Sequence, residues 1–183
     1  MTKLIITISG NIGAGKSTIA SMLANRLGLK HYSTGDYMRQ IAKKRGITLM
    51  ELSKQAEQDD SIDKELDRWQ EQLGQEEDDF VIDARLGYYF IPNSLKIFLK
   101  VKEEEGARRV FREKRSDNKH LSFEEVLANV RRREESQRRR YKEYYGIDFP
   151  ELDKFDLVID TTGKTPEKVA DLICERIIEK KHP

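Results

Sequence analysis

Gly10-Asn11-Ile12-Gly13-Ala14-Gly15-Lys16-Ser17 matches the pattern G-x-x-x-x-G-K-[ST] at every fixed position. The pattern constrains the fold strongly because it works only between a strand and a helix. Both flanks have that character. Leu4-Ile5-Ile6-Thr7-Ile8 is a β-type run, and Ile19, Ala20, Met22, Leu23 and Leu27 recur at helical spacing. The reading is a strand, a tight anion-binding turn and a helix N-terminus. Glycines let backbone N–H groups close around a phosphate with no Cβ in the way. In such a turn the Lys16 ammonium reaches the outer phosphates and the Ser17 hydroxyl ligates Mg²⁺. The expected ligand is a nucleoside triphosphate with Mg²⁺, held by Gly10, Asn11, Ile12, Gly13, Ala14, Gly15, Lys16, Ser17 and Thr18.

Strand signals recur between helical stretches, at 3–9, 30–33, 80–83, 95–101 and 155–160. The 30–33 strand is placed mainly by position. Apolar runs separated by helices predict an α/β chain with a parallel five-stranded sheet covered on both faces, the P-loop NTPase fold. No strand signal falls between 34 and 78, which predicts an all-helical insertion. Within it Gly46 ends the first helix, Thr48 and Glu51 form a capping box, and Ser61 caps a third helix. A second, polar insertion (Ser116-Asp117-Asn118-Lys119-His120) follows a helix at about 103–115. It leads into a long helix from Ser122, boxed by Glu125, to about 145. Thr165-Pro166-Glu167 opens the last helix.

Lys+Arg 34 against Asp+Glu 33 leaves a net charge of +1, so no nucleic-acid or membrane partner is expected from charge. The single Cys174 excludes a disulfide framework and fits a reducing compartment. A core strand already begins at residue 4, and no apolar run is long enough to span a bilayer. The expectation is a cytoplasmic monomer with one domain over 1–183. His31, His120 and His182 are scattered without ligand spacing, and Trp69 and Phe111 read as packing residues.

Three further constellations carry chemistry. Ser33-Thr34-Gly35-Asp36-Tyr37-Met38-Arg39 opens the helical insertion, and a helix N-terminus beside a guanidinium favours a second phosphate. Asp83 ends the third strand, where a carboxylate suits the Mg²⁺ shell, and Arg85 follows it. Residues 131–141 hold six arginines. On a helix Arg133, Gln137 and Arg140 share a face with Val126, Val130 and Tyr144, so that face is expected to turn inward. Arg131, Arg132, Arg138 and Arg139 are expected to face solvent.

Thr34-Gly35-Asp36-x-x-Arg39 resembles the acceptor-phosphate motif of adenylate kinase and related nucleoside monophosphate kinases. That resemblance implies that Thr34, Gly35 and Arg39 hold the acceptor, with Asp36 orienting. The stretch from Arg133 to Asp148 resembles the lid of short, archaeal-type cytidylate kinases. Nearly the whole chain shares the likeness, through Asp156-Leu157-Val158-Ile159-Asp160-Thr161-Thr162. It implies a core (1–33, 79–115, 149–183), an acceptor-binding insertion (34–78) and a lid (116–148), the last two mobile. It further implies catalytic roles for Lys16, Arg133 and Arg140, acceptor contacts from Arg85 and Gln137, metal contacts from Ser17 and Asp83, and donor adenine near Thr161–Gly163.

Three positions depart from the family pattern: Asp83-Ala84-Arg85 for Glu-Gly-Arg, Gln137 for an acid, and Gly87-Tyr88-Tyr89-Phe90 after the strand. The function expected is transfer of the ATP γ-phosphate to CMP or dCMP, a step of pyrimidine nucleotide metabolism. The alternatives are another acceptor (AMP, UMP or a deoxynucleoside) or an ATP-dependent RNA-binding switch. Of Arg108, Arg109, Arg112 and Arg115, one or two are expected to reach donor phosphates.

Overall fold

A computed structural model describes residues 4–113 and 120–181. The expectations placed on residue 3, Arg115, Ser116-Asp117-Asn118-Lys119 and His182 lie outside these residues. Strands β1 (Ile5–Gly10), β2 (Lys30–Ser33), β3 (Phe80–Asp83), β4 (Leu95–Lys100) and β5 (Leu157–Asp160) form one sheet in the order β2-β3-β1-β4-β5. The pairings are parallel: Ile8 lies beside Asp83, Ser33 beside Asp83, and Ile97 beside Leu157. Connections between parallel neighbours are helical, as crossovers require.

β2 and β3 span the expected residues, whereas β5 starts two residues late. A 3-10 turn (Leu152–Lys154) precedes it, and Phe155 packs edge-on against Phe98, centroids 5.1 Å apart. The apolar character of Phe155 therefore belongs to that turn. β5 is an edge strand, with Val158 45% exposed, so it alternates instead of burying both faces.

By packing, the chain falls into two compact units, one up to Ser9 with Ala20–Lys96 and the other Gly10–Ile19 with Ile97 onward. In the first unit α2 (Thr34–Arg45), α3 (Leu49–Ala56) and α4 (Ser61–Glu76) make the expected strand-free segment. Ile41, Ala42, Leu52, Ala56 and Ile62 bury together between them. Each large side chain buried this way contributes about 1.5–3 kcal/mol, which lets three short helices hold without a strand.

Gly46 ends α2 at φ 67°, and the Thr48–Glu51 capping box is formed. Ser61 differs from expectation. It is the first residue of α4, and Asp59 accepts from both its N–H (2.9 Å) and its hydroxyl (2.7 Å). Asp59 begins the turn two residues earlier and its carboxylate is the stronger acceptor. Trp69 packs against the cluster of Ile5, Leu73, Phe80, Ile82, Ala84 and Ile91, and stacks on Tyr37 at 4.3 Å. A four-residue helix α5 (Gly87–Phe90) follows β3.

In the second unit α6 (Glu103–Arg112) and α7 (Phe123–Tyr145) pack together around Ile12, Ala107, Val126 and Val130. Ser122 and Glu125 box the start of α7. Phe111 departs from the packing reading, being 40% exposed against the edge of Phe123. α8 (Pro166–Lys181) starts with the Thr165 hydroxyl accepting from Lys168 N–H. Among the described residues no helix is long and apolar enough to cross a membrane.

Candidate active site

The turn from β1 into α1 (Lys16–Leu27) carries left-handed glycines at Gly13 (φ 76°) and Gly15 (φ 86°). Gly13 is also a point of close approach. A Cβ there would lie 2.2 Å from the Gly106 carbonyl oxygen, and a Cβ on Gly106 would lie 2.5 Å from the Ile12 carbonyl oxygen. Loop and α6 therefore touch backbone to backbone, which no side chain at either position permits. The Lys16 ammonium donates to the carbonyls of Gly10 (3.1 Å) and Asn11 (2.9 Å), folding across the loop it would serve. Ser17 and Thr18 are exposed in the first turn of α1.

Two side chains clamp this loop. Arg109 donates to the Gly13 carbonyl (3.4 Å), the Thr161 carbonyl (2.7 Å) and the Thr161 hydroxyl (3.1 Å), with Glu105 steadying its Nε. It thus ties the loop to the start of the Thr161–Gly163 turn. Within that turn Thr162 donates to Asp160 and holds its carboxyl below the usual carboxylate range. From α7, Glu134 Oε1 accepts from the Ile12 N–H (2.9 Å) and lies 3.5 Å from Asn11 Nδ2.

The expected inward stripe on α7 holds only in part. Val126 and Val130 are buried, Gln137 and Arg140 are half-buried, and Arg133 and Tyr144 are exposed. The inward centre passes from Val130 to Glu134, placing Arg133 and Arg140 on one flank. Arg131 meets Glu103 (2.7 Å), and Arg138 donates to the Phe149 carbonyl (3.1 Å), so these two exposed arginines are tied down on the other flank. Arg108 pairs with Glu104 and lies over the Phe123 ring, away from the loop contacts that Arg109 makes.

In the other unit the end of β3 is built around Asp83. Ser9 donates its hydroxyl to the carbonyls of Ala84 (2.9 Å) and Arg85 (2.6 Å), fixing the chain as it leaves the sheet. The parallel register sets Ser33 beside Asp83, and its hydroxyl donates to Asp83 Oδ1 at 3.0 Å. His31 lies on the same face of β2 with Nε2 3.4 Å from Asp83 Oδ2. That second oxygen is buried and has no hydrogen-bond donor. Arg85 is half-buried.

Ala84 is 1% exposed within the apolar cluster, so its methyl fills core space. Gly87 makes room for it, since a Cβ there would lie 3.1 Å from the Ala84 Cβ. Ser33 also caps α2 through the Asp36 N–H. Thr34 donates to the Asp83 carbonyl (3.2 Å), and Arg39 folds back on Asp36 Oδ1 through Nε (3.2 Å) and Nη2 (2.6 Å). Gly35 lies under that guanidinium.

Gly106, Glu134 and the His31–Asp83 contact lie outside the motifs of the sequence, which also do not distinguish Arg109 from its neighbours. A helical wheel centred on Val130 would have exposed Glu134. Nothing local in sequence marks Gly106.

Comparison with known proteins meets this geometry. The chain is 37% identical over 176 residues to a protein of Haloarcula marismortui named cytidylate kinase, covering 95% of this chain and 89% of the relative. A cytidylate kinase of Sulfolobus acidocaldarius is 37% identical over 177 residues, covering 96% and 94%. Solved structures share the fold at lower identity. Shikimate kinase from Acinetobacter baumannii superposes with TM-score 0.67 at 17% identity, covering 100% of this chain and 97% of that one. An uncharacterized protein from Eubacterium ventriosum does so with TM-score 0.71 at 17% identity, covering 96% and 98%. A glycine-built phosphate loop, a strand-end Asp83 and an arginine-lined α7 come with a match of residues 5–163 to the Cytidylate kinase-like family, and the chain belongs to that family.

Proposed function

We propose that the protein transfers the γ-phosphate of ATP to CMP or dCMP. What supports this reading is a group of residues suited to holding a phosphate: Thr34 and Gly35 at the N-terminus of α2, and Arg39, whose guanidinium Asp36 holds. A hydrolytic switch has no use for such a group in addition to a phosphate loop. Relatives named cytidylate kinase support cytosine as the base.

The loop amides and Lys16 bind the donor phosphates, and Lys16 follows charge onto the transferred oxygens. Arg109 and the Thr161–Gly163 turn border the donor's far end. Arg133 and Arg140 supply cations to the transferring group, and Arg85 and Gln137 contact the acceptor. A monophosphate is already a competent nucleophile, so the chain needs to position and to exclude water rather than remove a proton.

The residues fit Mg²⁺. Mg²⁺ binds through one or two protein oxygens together with substrate phosphates and water, and the Ser17 hydroxyl and the Asp83 carboxylate are oxygen donors of that kind. Ser17 and Asp83 would hold it, the latter through its buried oxygen that lacks a donor. The ion would neutralise charge on the β- and γ-phosphates. We read 34–78 as the acceptor segment and 116–148 as the lid of a cytoplasmic monomer.

Arg39→Ala tests this group. The KM for CMP should rise about tenfold to a hundredfold, the cost of one charge-assisted pair of hydrogen bonds, with ATP affinity unchanged. An unchanged KM for CMP would overturn the assignment.

A further inference from the structure

We propose that Glu134 is a positioning residue that fixes the rotation of α7 on the phosphate loop and so sets the flank from which Arg133 and Arg140 act. The proposal rests on the kinase reading above for the arginines' task, though its structural core does not. Ile12 is held twice by α7. Its side chain sits in the apolar cluster with Val126 and Val130, and its N–H donates to Glu134 Oε1 at 2.9 Å, one turn further along. Apolar contacts are non-directional and leave a helix free to roll or slide by small amounts. A charge-assisted hydrogen bond to a backbone N–H is short and directional, and it removes that freedom.

The helix wheel shows what the tie indexes. At about 100° per residue, Glu134 lies roughly 40° to one side of Val130, while Arg133 and Arg140 lie roughly 60° and 80° to the other side. Arg131 and Arg138 fall roughly 80–100° out on the Glu134 side, where Glu103 and the Phe149 carbonyl hold them. The helix is thus pinned along one flank and at its inward centre, which fixes the direction in which the Arg133–Arg140 flank faces. A carboxylate beside a triphosphate site is unfavourable on charge alone. Its place there is explained by the N–H it accepts and by Asn11 Nδ2 at 3.5 Å.

Two variants separate the hydrogen bond from the charge. Glu134→Gln keeps an oxygen acceptor for Ile12 N–H and loses the charge, whereas Glu134→Ala loses both. Hydrogen exchange at the Ile12 amide, ATP affinity by calorimetry, and kcat with CMP would be measured for both. Glu134→Ala should speed exchange at Ile12 and lower kcat on the order of 10²-fold, the usual cost of misplacing catalytic groups by about an ångström. Its ATP affinity should stay within about threefold, since an interaction felt only in the transition state moves kcat and not binding. Glu134→Gln should restore both the protection at Ile12 and most of kcat.

Unchanged exchange at Ile12 in Glu134→Ala would overturn the proposal. So would tighter ATP binding in both variants with equal kcat, which would make the carboxylate a competing anion instead. If the wild-type protein transfers phosphate to no nucleotide, the kinase reading fails by itself. The exchange measurement still decides whether Glu134 holds the loop.

Discussion

Gly106→Ala isolates the contact on which the phosphate loop rests. The added methyl carbon would lie 2.5 Å from the Ile12 carbonyl oxygen and 3.1 Å from Val101 Cγ1, and the first of these is backbone that cannot swing away. Reaching even 3.0 Å moves loop and helix apart by about half an ångström, a distance that in an active site can cost tenfold to a hundredfold in rate. Stability responds differently. Overpacking costs about 1–3 kcal/mol, and alanine returns about 1 kcal/mol of helix propensity inside α6. The net loss of about 0–2 kcal/mol lowers Tm by no more than about 8 °C in a protein of this size. Thermal unfolding, ATP calorimetry and steady-state kinetics on one preparation would separate the two effects. A folded variant with normal ATP affinity and normal kcat would refute the claim that loop geometry depends on this contact.

Lys16→Ala should lower turnover by orders of magnitude with little change in Tm, because the loop carbonyls of Gly10 and Asn11 to which Lys16 donates can be satisfied by solvent; near-normal turnover would contradict its role. Asp83→Asn should weaken the Mg²⁺ dependence of ATP binding by about tenfold to a hundredfold, read by titrating Mg²⁺ at fixed ATP. Glu51 has its carboxyl held below the usual range by the Thr48 N–H and hydroxyl. A depressed folded pKa gives stability that is present above the unfolded value and lost as pH falls through the folded one. The Tm gap between wild type and Glu51→Ala should therefore be open at neutral pH and close as the solution is acidified below the ordinary carboxylate range.

What the sequence revealed and what it hid divide along contact distance. The glycine turn between β1 and α1, the capping boxes at Thr48 and Ser122, and the Gly46 cap are encoded within a few residues, and each is formed as read. β2 was placed by little more than its position and is correct to the residue, because parallel crossovers allow few other places for it. The Glu134–Ile12 bond joins residues 122 positions apart, and within Arg-Arg-Arg-Glu-Glu a glutamate reads as a solvated charge. Gly106 is invisible for a similar reason, since its partner is a backbone carbonyl with no sequence signature. The inward face of α7 lies one position away from the expected arginine stripe. Val126 and Val130 mark an inward face that runs on through Glu134, so Arg133 stands on its edge and is exposed. Asp59 takes the acceptor role in place of Ser61 because its charged carboxylate offers two oxygens, one for the Ser61 N–H and one for the Ser61 hydroxyl.

The most direct test of the account is ATP consumption by the purified protein with AMP, CMP, dCMP, UMP or GMP in turn, with free nucleosides and shikimate as further acceptors. Selective formation of the diphosphate from CMP or dCMP is the predicted result. ATP binding without turnover on either, or turnover selective for shikimate or a free nucleoside, would contradict it.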